Sequence, residues 1–123
     1  MYLSVIKIYP LPGRKKAVID ALVRMKYPNE NDIGCLGCSV SVEPGRVGAV
    51  CYTEQWSTRD DLDRHLRSLL YYRVLESMEC SHRQPEIDFY EMTRIGGLEV
   101  VEQIRIPNPS VGLKLTSTTP KEI

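Results

Sequence analysis

The chain switches between two hydrophobic periodicities, and the switch points mark its elements. Residues 2–9, "YLSVIKIY", are β-branched and aromatic and end at Pro10 and Pro12, which predicts a strand. From Gly13 to about Met25 the apolar residues Val18, Leu22 and Met25 recur at i, i+4 and i+7, with Ile19 beside them. Arg14, Lys15, Lys16, Asp20 and Arg24 take the other side, so the segment reads as an amphipathic helix with one solvated face. "KYPNENDIG" gathers Pro, Asn, Asp and Gly and reads as a loop.

Residues 35–42 and 48–56 read as strands joined through "EPGR", whose Pro44-Gly45 pair suits the centre of a type II turn. A hairpin symmetric about that pair sets Cys38 opposite Cys51 and Gly37 opposite Tyr52. Alternation then gives Cys35, Gly37, Ser39 and Ser41 a common face with Val50, Tyr52, Glu54 and Trp56. Small residues beside large aromatic ones imply a hollow on that face. A one-residue bulge would reverse the faces of one strand. Ser57 suits a helix N-cap, with Asp60 as its capping-box partner, and Thr58 with Asp61 repeats the pattern one residue later. Leu62, Leu66 and Leu69, then Tyr71, Val74, Leu75 and Met78, follow on helical spacing. They predict one long helix or two with a break near Ser68. "SHRQPE" ends this region, and "IDFYEM" at 87–92 predicts a fourth strand.

The order β-α-β-β-α-β places the chain in the α+β class. It is the split arrangement of a ferredoxin-like sandwich, an antiparallel four-stranded sheet with two helices on one face. With Leu36, Cys38, Val40 and Val42 on one side of the second strand, the uncovered face would be apolar. Two such sheets packed face to face would cover it, so a homodimer is expected. This domain spans residues 1–94, and 95–123 form a C-terminal extension. In the extension Gly96-Gly97 interrupt the strand, Leu98, Val101 and Ile104 suggest a short helix, and Pro107 and Pro109 stop it. "VGLKLT" at 111–116 reads either as an added edge strand or as a frayed tail.

Composition narrows the function classes. The 123 residues suffice for one core but not two, and 42% apolar content suffices to pack it. Sixteen basic residues balance sixteen acidic ones along the chain, which argues against a nucleic-acid partner. No apolar run reaches the roughly 18 residues of a membrane span. The first ten residues do not read as a secretory signal, so a cytoplasmic protein is expected. Cys35, Cys38, Cys51 and Cys80 are then expected as free thiols. Cys35 and Cys38 form a C-x-x-C, but they lead into a strand, where residues three apart lie about 10 Å apart and face opposite ways. A disulfide needs Cα atoms within about 7 Å. A zinc site would need two further ligands that neither histidine is placed to supply, so no metal is expected.

The candidate chemistry gathers after the hairpin. Trp56 and Tyr52 share a face and suit stacking on a planar ligand, with Gly37 and Ser39 beside them; the structural alternative is a tryptophan that fills core. His65 suits proton transfer near neutral pH, the alternative being a capping or solvated histidine at the edge of the leucine stripe. Tyr71 and Tyr72 point about 100° apart on a helix, and Tyr71 is in phase with Val74, Leu75 and Met78. Tyr71 is therefore the one assigned to hydrogen bonding within the pocket, or else to the core with its hydroxyl at the rim.

"GCLGCSV" entering the second strand, "YTEQW" closing the third and "LDRHLRS" on the next helix, in that order, resemble the antibiotic biosynthesis monooxygenase domain over residues 1–93. The resemblance implies a dimeric α+β barrel with a pocket between sheet and helices in each subunit. It also implies oxidation of a quinol- or anthrone-type aromatic by O₂ without metal or flavin. By position, Trp56 matches a pocket tryptophan and His65 the histidine of an E-x-H-L-like stretch. Leu70 stands where many members carry a second histidine, and "YLSVIKIY" lacks the asparagine of the haem degraders, which turns the resemblance away from haem degradation. The expected function is a cofactor-independent monooxygenase acting on a small planar aromatic. The competing expectation is a non-catalytic ligand-binding or structural homodimer of the same fold.

Overall fold

Alternating burial along the two central strands of the sheet shows which side is covered, and this side positions the site. The computed structural model describes residues 1–45 and 48–106. The elements are β1 (Tyr2–Ile8), a 3-10 turn (Pro12–Arg14), α1 (Lys15–Glu30), β2 (Cys35–Val42), β3 (Val50–Trp56), α2 (Arg59–Arg67), α3 (Tyr71–Met78), β4 (Glu86–Glu91) and α4 (Leu98–Arg105). The strands form one antiparallel sheet in the order β2-β3-β1-β4. Contacts divide the chain into one unit of Met1–Met92 and a second that begins at Thr93. The first unit is the α+β ferredoxin-like sandwich. In the second, the Gly97 amide donates to the Glu99 carboxylate at 2.8 Å at the start of α4. The expected strand at 111–116 lies outside the described residues. Among the described residues no helix is long and apolar enough to cross a membrane.

The inward residues Ile6, Ile8, Val50 and Tyr52 meet Val18, Leu22 and Met25 of α1 and Val74 of α3 in one buried cluster. That stripe of α1 is the one the i, i+4, i+7 pattern predicts. The helix runs past Met25, however, through Pro28 to Glu30. Local composition favours a loop there, but Asn29 is fully buried and bonded to β3, and this tertiary anchor overrides the propensity.

The hairpin register differs from the symmetric one. Val42 pairs with Val50, Val40 with Tyr52 and Cys38 with Glu54, with a bulge between Cys35 and Gly37. The loop closes at Glu43, whose amide donates to the Ala49 carbonyl at 2.9 Å, so its centre lies beyond Pro44-Gly45. The resulting odd offset reverses the faces of β2. Gly37 and Ser39 lie opposite Gln55 and Thr53 on the far side of the sheet, and Ser39 Oγ is 2.5 Å from Thr53 Oγ1. Their expected place beside Tyr52 is corrected accordingly. Cys38 and Val40 now pack against the core under the helices. The patch invoked for sheet-to-sheet pairing is therefore not on the uncovered face, where Leu3, Val5, Thr53 and Tyr90 fall instead.

Between the two expected helical arrangements, the structure has the broken one. Ser68 leaves the helical region at ψ 156. Its hydroxyl donates to the His65 carbonyl at 2.7 Å and accepts from the Tyr71 amide at 3.3 Å, ending α2 and steadying the start of α3. The break throws Leu69 into solvent at 92% exposure, so the stripe of α2 ends at Leu66. Thr58 is the N-cap, accepting from the Asp61 amide at 3.1 Å. Gly34 turns the chain into β2 at φ +84, and a Cβ there would overlap the Asp61 side chain. The 31–34 turn thus lies against the first turn of α2.

Candidate active site

Strand alternation directs Tyr52, Glu54 and Trp56 of β3 toward the helices, and all three are fully buried. A buried carboxylate is tolerable only when donors replace its water. Glu54 Oε2 accepts from the Tyr52 hydroxyl at 2.8 Å and Asn29 Nδ2 at 3.2 Å, and lies 2.9 Å from His65 Nε2. Trp56 Nε1 donates to the other oxygen at 3.3 Å. Asn29 Nδ2 also bonds the Tyr52 oxygen, which accepts from Cys38 Sγ at 3.2 Å.

His65 is fully buried, so the expectation of a solvated or capping histidine is corrected. Leu62, His65 and Leu66 follow i, i+3, i+4 and form one inward face once Leu69 is removed by the break. The imidazole stacks on Trp56 with ring centres 4.5 Å apart and meets the edge of Tyr71 at 5.2 Å. Trp56, His65 and Tyr71 are thus brought together, and Tyr52 joins them through Glu54. Tyr72, by contrast, is 64% exposed. Glu54 and Asn29 are the residues that sequence reasoning did not place in the site. A charged residue at an inward strand position between Tyr52 and Trp56 was the available signal for Glu54. Asn29 was hidden by loop-like neighbours.

Four buried polar atoms have no hydrogen-bond partner among the described residues: Ser4 Oγ, Asn29 Oδ1, His65 Nδ1 and Tyr71 Oη. Such groups cost about 1–3 kcal/mol each when left unmet. Their residues surround one carboxylate, so they represent hydrogen-bonding capacity that a polar ligand can take up. Cys38, Glu54, Ser4 and Phe89 form one row across the sheet, each register partner of the next. At the Phe89 end a cleft of about 360 Å³ opens between α2 and the β4 edge, walled by Leu62, Leu66, Arg59 and Asp63 and floored by Tyr2 and Phe89. Neither Trp56 nor His65 lines it. Ser4 stands between the cleft and Glu54.

Burial, and then the Glu54 charge, push the Tyr52 and Tyr71 phenols above their ordinary range. Burial also pushes the Cys38 thiol up to about 11. These groups stay protonated through neutral pH. The unfolded chain releases its thiol proton near pH 9.0 while the folded one holds it to about 11, so stability is full below that window and falls as pH rises through it. A loss of about 2 kcal/mol is expected by the upper end, read as a falling thermal midpoint from pH 8 upward. A level midpoint would mean that these groups are not buried in solution.

All four cysteines are free, and the C-x-x-C lies on a strand with one thiol buried. Among the described residues no three His, Cys, Asp or Glu side chains group as metal ligands.

Solved structures share this fold. Rv0793 from Mycobacterium tuberculosis superposes with a TM-score of 0.67 at 21% identity, over 79% of this chain and 100% of that one. A Deinococcus radiodurans protein, provisionally named an antibiotic biosynthesis monooxygenase, gives a TM-score of 0.70 at 18% identity, over 79% and 97% of the two chains. A conserved protein from Methanosarcina mazei Go1 gives 0.66 at 20% identity, over 76% and 94%. At such identities the likeness establishes the fold alone. No curated protein matches in sequence. The antibiotic biosynthesis monooxygenase family model matches residues 1–77, which include β1 to β3, α1, α2 and most of α3 and carry the whole buried cluster. The chain belongs to the antibiotic biosynthesis monooxygenase family.

Proposed function

We propose that the protein is a cofactor-independent monooxygenase of a small planar aromatic of the quinol or anthrone type, and that the Glu54–His65 pair moves the substrate proton. The observation that carries this reading is a fully buried carboxylate 2.9 Å from an imidazole that is itself clamped between Trp56 and Tyr71. An electron-rich phenolate reduces O₂ by itself, so the protein's tasks are deprotonation, orientation and exclusion of water. The substrate ring lies in the apolar cleft between Leu62, Leu66 and Phe89, its hydroxyl toward Ser4 and Glu54. Glu54 takes the phenolic proton while His65 holds the carboxylate in place. The anion then gives an electron to O₂, a C–O bond forms, and the borrowed proton returns to the peroxide. Loss of water leaves a carbonyl, so that one methylene and one O₂ become one C=O and one H₂O. Because His65 is closed from solvent, binding has to part α2 from the β4 edge.

The test is O₂ uptake by metal-free protein offered a panel of hydroquinones and anthrones. Uptake above the spontaneous rate is expected for at least one compound, returning to that rate in Glu54→Gln and His65→Gln. If wild-type protein consumes no O₂ beyond the spontaneous rate across the panel, the non-catalytic binding reading replaces this one.

A further inference from the structure

The hydrogen bond from Nε2 to Glu54 accounts for one nitrogen of His65. The other, Nδ1, is buried and has no hydrogen-bond partner among the described residues, yet Asp32 Oδ2 lies 3.8 Å from it. The Asp32 side chain is 33% exposed, so it stands between the interior and water. We propose that Asp32 is a positioning residue for the buried pair, its carboxylate receiving Nδ1–H whenever the imidazole holds its second proton. His65 then sits between two carboxylates, one fully buried and one at the surface.

The geometry around Asp32 favours this role. Its Oδ1 accepts from the Ile33 amide at 2.9 Å, which leaves Oδ2 directed at the ring. The turn that carries it is held on three sides. The Asp32 amide donates to the Asn29 carbonyl at 3.1 Å, the Cys35 amide donates to the Asp32 carbonyl at 3.1 Å, and Arg64 Nη2 donates to the Ile33 carbonyl at 3.0 Å. A hydrogen bond of about 2.8 Å therefore needs a closure of about 1 Å and no rebuilding of the turn. Neutral imidazole donating Nε2–H to Glu54 turns a lone pair toward Asp32, which gives no reason to close; protonated imidazole turns a donor toward it. The contact is thus made or released by one proton, with no change in oxidation state.

Other titratable groups face this ring from several elements. Glu54 and Tyr52 do so from β3, the latter through Glu54, and Tyr71 from α3. Cys35 of β2, its thiol raised chiefly by burial, feels both Glu54 and Asp32. On α2 itself Asp61 and Arg64 satisfy each other at 2.6 Å. Asp32 is the carboxylate beside Nδ1.

The inference rests on reading Glu54–His65 as an acid–base pair, and the two are separable by NMR on ligand-free protein. The ring nitrogens of His65 are followed against pH in wild type, Asp32→Asn and Glu30→Gln. Asparagine keeps an oxygen for the Ile33 amide, so the turn is retained. In Asp32→Asn the protonation midpoint of His65 is expected about one pH unit lower than in wild type, because a nearby negative charge is gone. Glu30→Gln, which removes an exposed carboxylate paired with Lys26, should leave it unchanged. Equal midpoints in folded wild type and Asp32→Asn overturn the inference, as does an equal shift in Glu30→Gln. A selective shift in a protein that consumes no O₂ keeps the Asp32 assignment and removes the oxidase reading; O₂ consumption without the shift does the reverse.

Discussion

Glu54→Ala is expected to destabilise the protein by about 3–5 kcal/mol, measured by urea unfolding at neutral pH. The alanine leaves Tyr52 Oη, Asn29 Nδ2, His65 Nε2 and Trp56 Nε1 without the oxygen atoms they share. A plain sum of about 1–3 kcal/mol per stranded donor would exceed the stability of most domains of this size. The lower figure follows because water can enter the space the carboxylate leaves and take up some donors. Glu54→Gln keeps the shape and one acceptor but turns an NH₂ toward groups that also donate, so a loss of about 1–3 kcal/mol is expected. The order Ala worse than Gln worse than wild type is the signature of a carboxylate held by its donors. If both variants unfold within about 0.5 kcal/mol of wild type, the polar cluster contributes little and cannot fix the geometry of His65.

The same cluster shows which features a sequence carries openly. Element order and the buried face of α1 were legible because periodicity is a local property, and Val18, Leu22 and Met25 state it within eight residues. Convergence of Trp56 and His65 was legible too, since a residue ending a strand and one on the next helix share the same end of the sheet. Register was not, because it depends on where the loop closes. Glu43 and Ala49 make the closing bond, whereas Pro44-Gly45 is the more visible turn signal. That three-residue shift in pairing sum exchanged Gly37 and Ser39 for Cys38 and Val40 on the inner face. The burial of His65 was obscured by Leu69, which has the right spacing for the stripe but stands beyond the Ser68 break. Asn29 was beyond local reading altogether: its helical conformation is fixed by Tyr52 and Glu54, residues more than twenty positions away.

Trp56→Ala is the second large effect, an expected loss of about 3–5 kcal/mol by the same unfolding measurement. Trp56 is the largest fully buried side chain, and its strand position is paired on both sides, with Tyr2 of β1 and Cys35 of β2. Truncation there removes apolar burial, opens a cavity at the end of the sheet and takes the Nε1 donor from Glu54. It also removes one side of the clamp on His65, whose ring would keep its contacts with the edge of Tyr71 and with Glu54. Trp56→Phe separates these contributions. It keeps an aromatic face against the imidazole and most of the volume while deleting the indole N–H, so a loss of about 1–2 kcal/mol is expected. The functional consequence divides the same way. If orientation of His65 by a stacked ring matters for proton transfer, any O₂ uptake found for wild type should survive largely in Trp56→Phe and fall sharply in folded Trp56→Ala. Equal uptake in the two variants would mean that the stack fills space without orienting the imidazole, whose position is then set by its other contacts, Glu54 and the edge of Tyr71 among them.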